Sequence, residues 1–224
     1  MTFSVAARCK ETGMFGTVVT SSSICVPSRC AFSRAGVGAF MSQNITNPNL
    51  GPQGLDLMAQ GHSIEQVLEL TKQSEPHIEW RQLGMINAKG ETAVFSGQET
   101  LGIYATAQGD NCVAQGNMLA NTIIPQAMIN EFENSTGHLA QRLLQAIQAG
   151  QEAGGEMGPV YSAGLKVVDR VEWPIIDLRV DWHIAPLNEL EMIWRVYKPQ
   201  VDAYVIRALD PANSESYGAA GDDR

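Results

Sequence analysis

The chain has 224 residues, 44% of them hydrophobic and 17% charged, and carries a formal net charge of −9. That length can bury a sizeable core in one domain. The acidity argues against a general role on nucleic acid or anionic membranes, and no apolar run approaches the ~18 residues of a membrane helix.

The opening lacks a basic segment followed by an apolar one, so no signal peptide is expected, and a cytoplasmic protein with reduced thiols is. Cys9, Cys25, Cys30 and Cys112 form no Cys-x-x-Cys, and His62, His77, His138 and His183 are scattered, so no structural zinc and no cofactor are expected.

Phe3, Val5 and Ala7 alternate with Ser4 and Ala6, the period-two pattern of a strand that starts at the second residue. Such a strand would hold the amino terminus in the fold. Thr2 is small enough for an aminopeptidase to remove Met1, which would put a hydroxyl and a free α-amine on one residue. An α-amine titrates near pH ~8 and can take the hydroxyl proton, the N-terminal-threonine form of nucleophile plus base. The plainer alternative is a β-favouring residue at the head of a buried strand.

Lys10 to Gly13 read as a hairpin turn, and Phe15 to Thr20 as the return strand. Residues 24–35 read as irregular, Ala35 to Met41 as a third apolar run, and Asn47-Pro48 with Gly51-Pro52 as a loop. A short helix is expected from Gly54 to Gln60. A second begins at the capping box Ser63-Ile64-Glu65-Gln66, with Ile64, Val67, Leu68 and Thr71 on one face. Strands follow at Leu83–Asn87 and Thr92–Ser96, and another ends at Cys112–Gln115. Helices are expected at Pro125–Asn134 and His138–Ala149, with Gly150 as a cap. Strands at Tyr161–Val168 and Ile175–Val180 and a helix at Pro186–Val196 complete the order. Segregated runs of strands and helices argue for an α+β fold. Residues 1–207 form the expected domain, and the polar residues 208–224 a flexible tail.

This order matches the four-layer αββα sandwich of N-terminal-nucleophile (Ntn) hydrolases. The opening Thr2 to Arg8 also resembles an uncharacterised bacterial family assigned to that superfamily. Further matching stretches are Arg34 to Ala39, Asn47-Pro48 with Gly51 to Leu57, Arg81 to Gly84, Gln115 to Leu119, and Ile176 to Asp181. Where members carry a charged Gly-Asp-x-Arg-Gly stretch, this chain has Gly155-Glu156-Met157-Gly158-Pro159. The resemblance implies an amidohydrolase acting on a small amide or peptide-like substrate. In it Thr2 is the nucleophile, Arg34 the cation that favours a neutral amine, and Asn117 an oxyanion donor. Ser21, Ser42, Gln43, Arg81 and Gln115 are the expected substrate-binding residues. It also implies a homo-oligomer, with no nucleic acid or membrane as partner.

Alternatives stand beside several of these. Arg34 can cap a loop, Arg81 can pair with Glu79 or another acid, and Asn117 can cap a turn or helix. Asp177, Asp181 and His183 share one strand face by spacing, as either a metal site or a solvated face. Cys25, with no histidine near it in sequence, is expected in the core. A non-catalytic member that binds a metabolite or partner, or a structural subunit that assembles into oligomers, would fit the same fold.

Overall fold

The computed structural model describes residues 2–222. Strand β1 (Thr2–Arg8) turns through Gly13, at φ 77°, into β2 (Phe15–Ser21), with Phe3 opposite Thr20. A one-turn helix α1 (Pro27–Cys30) and strand β3 (Ala31–Arg34) occupy the stretch expected to be irregular, and β4 (Gly38–Asn44) follows. Helices α2 (Leu50–Ala59) and α3 (Ile64–Ser74) precede β5 (Arg81–Asn87) and β6 (Thr92–Ser96). Next come β7 (Ala105–Gly109), which no periodicity announced, and β8 (Cys112–Asn117). Helices α4 (Ile124–Asn134) and α5 (Leu139–Glu152), strands β9 (Ser162–Val168) and β10 (Ile176–Val180), and helices α6 (Pro186–Tyr197) and α7 (Val201–Leu209) complete the chain.

Two antiparallel sheets result, one ordered β10-β9-β2-β1-β8-β7 and the other β3-β4-β5-β6. Strand alternation decides which side chains meet where. Ala6, Phe15, Val19, Ala39, Met41, Ile86 and Val113 fill the space between the sheets. Phe3, Val5, Ala7 and Val18 point the other way, into a core with Met128, Phe132, Leu143 and Ile147 of α4 and α5 and Trp194 of α6. Phe40, Leu83 and Met85 of the second sheet pack on Leu55, Ile64 and Val67 of α2 and α3. Each fully buried Val, Leu, Ile, Met or Phe among them contributes about 1.5–3 kcal/mol.

The capping box forms as read: the Ser63 hydroxyl accepts the Gln66 N–H, and the Gln66 side chain accepts the Ser63 N–H. Helix α2 starts earlier than expected because its glycines are contact points. A Cβ on Gly54 would sit 2.3 Å from the Phe40 ring, and one on Gly51 2.1 Å from that of Phe32. Gly150 is likewise no cap; it lies within α5, buried against Met128 and Phe3. No helix among the described residues is long and apolar enough to cross a membrane.

Candidate active site at the head of the first strand

Because β1 is flanked by β2 and β8, its first residue is fixed from both sides. Thr2 lies opposite Asn117 in register and is 5% exposed. Its hydroxyl donates to Ser21 Oγ at 3.2 Å, and that oxygen also accepts the Ser23 N–H at 3.0 Å. Thr2 and Ser4 point between the sheets, where a chain of amides meets them. Ser4 Oγ donates to Gln43 Oε1 at 2.7 Å, and Gln43 Nε2 donates to Gln82 Oε1 at 2.8 Å and to the Thr2 carbonyl at 3.4 Å. Gln82 in turn donates to Ser96 Oγ and to the Gly116 carbonyl, and accepts from Asn117 Nδ2 at 3.2 Å.

Two members of this buried cluster are left short. Among the described residues Asn117 Oδ1 has no hydrogen-bond partner, and neither does either polar atom of the Gln115 side chain, although both residues are almost fully buried. An orphaned buried polar group costs about 1–3 kcal/mol. Such groups mark places where a ligand or water completes the hydrogen bonding. Gln115 is accommodated because β5 carries Gly84 across from it: a Cβ there would sit 2.7 Å from Gln115 Oε1.

Glu156 joins the site from far along the chain. Its backbone bridges Leu119, and its carboxylate accepts the Ser22 N–H at 3.2 and 3.4 Å. Burial pushes the carboxyl up to about 7, against the opposing pull of the positive charge at the chain's amino terminus and of the Ser22 hydrogen bonds.

The sequence model of a family described as "Family of unknown function (DUF1028)" matches residues 2–190. The chain belongs to DUF1028. The crystal structure of protein SPO2555 from Silicibacter pomeroyi, assigned to the same family, is 27% identical to this DUF1028 chain. It superposes with a TM-score of 0.83 over 88% of this chain and 86% of its own. Anbu (ancestral beta-subunit) from Yersinia bercovieri, 10% identical, aligns over 90% of this chain and 97% of its own at a TM-score of 0.38, too loose a match to transfer anything. No curated protein matches the sequence significantly.

The DUF1028 fold brings Thr2, Ser21, Gln43, Gln115 and Asn117 together and sends the other candidates elsewhere. Asn117 ends a strand and caps neither turn nor helix. Ser42 faces away from Gln43, as strand alternation requires, and holds the next loop through Thr46 and the Asn47 carbonyl. Arg81 also faces the helix side, buried against Glu75 at 3.3 Å and donating to the Ile45 carbonyl. The acid it pairs with is thus Glu75 and not Glu79, which accepts the Gln98 N–H.

Arg34 pairs with Asp56 at 2.8 Å, next to the β3–β4 turn. Gly38 opposite it is five residues along β4 from Gln43, about 17 Å, so Arg34 cannot act on Thr2. Asp177 pairs with Lys166 and Arg179, while Asp181 and His183 lie beyond the end of β10, so the three share no strand face. Among the described residues no group of three His, Cys, Asp or Glu side chains is placed to hold a metal ion. Cys25 is half-buried rather than in the core, at φ 54°. A cavity of about 670 Å³ lies beside Arg8, at the opposite end of β1 and about 20 Å from Thr2.

Ser4, Gln82 and Glu156 are site residues that the sequence reading did not select. Ser4 and Gln82 were reachable from strand parity once Thr2 and Gln43 were chosen. Glu156 lies in the stretch that stands in place of the family's Gly-Asp-x-Arg-Gly, but no local periodicity marks it as a site residue.

Proposed function

We propose that this protein is an Ntn-type amidohydrolase with the four-layer αββα arrangement, acting on a small amide or peptide-like substrate with Thr2 as nucleophile after Met1 is removed. The observation that carries the reading is the Thr2 hydroxyl, held by Ser21 at the head of a central strand. Around it lies a buried amide cluster with unmet hydrogen-bonding capacity.

In this mechanism the Thr2 α-amine takes the Oγ1 proton as Oγ1 bonds to the substrate carbonyl carbon. Charge developing on the carbonyl oxygen is met by Asn117 Nδ2, which spends one hydrogen on Gln82 and has a second to give. The amine then returns its proton to the leaving nitrogen as the C–N bond breaks. Water, activated by the same amine, hydrolyses the resulting ester. Gln43 holds the Thr2 carbonyl, and Gln115 offers a donor and an acceptor to the substrate. The protein works in the cytoplasm, as a homo-oligomer, without nucleic acid or membrane as partner.

The test is intact mass before and after a β-lactone probe, on wild type and Thr2→Ala. Loss of one methionine, and acylation in wild type only, are expected. Met1 retained on every molecule with no labelling refutes the hydrolase reading. The orphaned amides of Gln115 and Asn117 would then favour a non-catalytic binder of a polar metabolite.

A further inference from the structure

The position of Glu156 follows from the two strands that flank β1. Its backbone bridges Leu119, two residues past the end of β8, and its carboxylate takes the N–H of Ser22, one residue past the end of β2. β1 lies between those strands, with neighbours spaced about 4.8 Å apart. A residue tied to both ends therefore lies across the head of β1, where Thr2 begins.

The loop that carries Glu156 is shaped to turn it inward. Gly154 and Gly155 sit at φ 131° and 60°, a region that side chains avoid, and a Cβ on Gly155 would meet the Gln151 side chain at 2.9 Å. Glu156 is 5% exposed, and among the described residues no Lys, Arg or His pairs with it. What touches it from the end of β2 (Ser22) and from beyond β8 (Leu119) is uncharged, as are its chain neighbours Gly155 and Met157. A buried carboxylate without a cation is costly, and the positive charge that acts on this one is that of the chain's amino terminus.

We propose that Glu156 is the positioning residue for the catalytic amine, its carboxylate holding the α-amino group of Thr2 beside Oγ1. This rests on Thr2 being the nucleophile. The proton leaving Oγ1 moves to the amine nitrogen, and the ammonium so formed is stabilised by the Glu156 carboxylate until it protonates the leaving nitrogen. An adjacent carboxylate favours the charged amine, so it raises the pH at which the amine becomes a base, by about one unit or more.

The experiment uses the chain beginning at Thr2, released from a cleavable N-terminal fusion. The Thr2 amine and the Glu156 carboxyl are titrated by NMR with ¹³C-labelled threonine and glutamate. In Glu156→Gln the amine midpoint is expected to fall by about one pH unit. In the unmutated chain, acetylating the amine is expected to raise the Glu156 midpoint by a similar amount, since the coupling is reciprocal. An unmoved amine midpoint in folded Glu156→Gln, or a Glu156 midpoint indifferent to acetylation, overturns the proposal. If Glu156→Gln does not fold, the acetylation comparison decides alone. Neither readout needs turnover. Coupled titrations without β-lactone labelling refute the hydrolase reading alone, and labelling with uncoupled titrations refutes the Glu156 proposal alone.

Discussion

Replacing Arg81 with Met removes a guanidinium that is only 10% exposed and strands its partner, Glu75, whose side chain is 2% exposed. Burial alone would raise the Glu75 carboxyl, but hydrogen bonds from Asn47 and the His77 N–H, together with the charge of Arg81, outweigh it and hold the group low. Breaking one side of a buried ion pair costs about 3–5 kcal/mol. Glu75 keeps two hydrogen bonds, which places the loss near the lower end, and the lost bond to the Ile45 carbonyl adds about 1 kcal/mol. The expected total is roughly 4 kcal/mol, a large share of a typical folding free energy.

Urea unfolding at pH 7 measures it: at about 3 kcal/mol per molar, the midpoint falls by somewhat more than ~1 M. The sign of the pH dependence follows from the same pair. A carboxyl lowered on folding stabilises above its ordinary range, and that contribution is lost as the pH falls through its folded value. Without Arg81 only the Asn47 and His77 N–H hydrogen bonds still lower the carboxyl, so it is held low less strongly and protonates more readily. The gap between wild type and variant should therefore narrow as the pH drops towards ~4, and adding Glu75→Gln should recover about half the loss. A loss under about 1 kcal/mol at neutral pH, or one that does not shrink in acid, refutes a structural role for this pair.

Gly54→Ala gains about 1 kcal/mol of helix propensity but forces a methyl to within 2.3 Å of the Phe40 ring. With an overpacking cost of about 1–3 kcal/mol, a net loss of up to about 2 kcal/mol by thermal unfolding is expected, and a raised Tm would show that α2 is not seated on its glycines. Gln115→Met removes two orphaned polar atoms at nearly constant volume, so stability should hold or rise by about 1 kcal/mol while β-lactone labelling falls. A clear loss of stability with unchanged labelling would mean that Gln115 serves the fold rather than a ligand.

Features fixed within a few residues were readable in the sequence. The alternation from Phe3 to Ala7 and the Ser63–Gln66 capping box depend on neighbours one turn or one pleat away, and both stand as expected. Features fixed by a distant partner were not. Gly51, Gly54 and Gly150 look like breakers in isolation, yet they are points where a helix meets an aromatic or methionine side chain. β7, Ala-Thr-Ala-Gln-Gly, is a partly exposed edge strand with too little apolar alternation to stand out. The same division runs through the site. Thr2, Gln43, Gln115 and Asn117 lie on strands whose pattern places them, whereas Glu156 reaches Ser22 across more than a hundred residues and only through the finished fold. Ser42 is the strand neighbour of Gln43, and alternation turns its side chain to the opposite face.

The central place of β1 also sets a timetable. Its hairpin partner β2 follows at once, but Asn117, which closes the other side of Thr2, is about 115 residues downstream, and Glu156 later still. At about 5–20 residues per second, a ribosome needs roughly 6–23 s to reach Asn117. During that interval Thr2 is open on its β8 side; afterwards it is 5% exposed. If Met1 is removed as proposed, its removal competes with the arrival of the chain's own second half. Slow translation ahead of β8 would favour the trimmed form, and rapid overexpression would favour the untrimmed one.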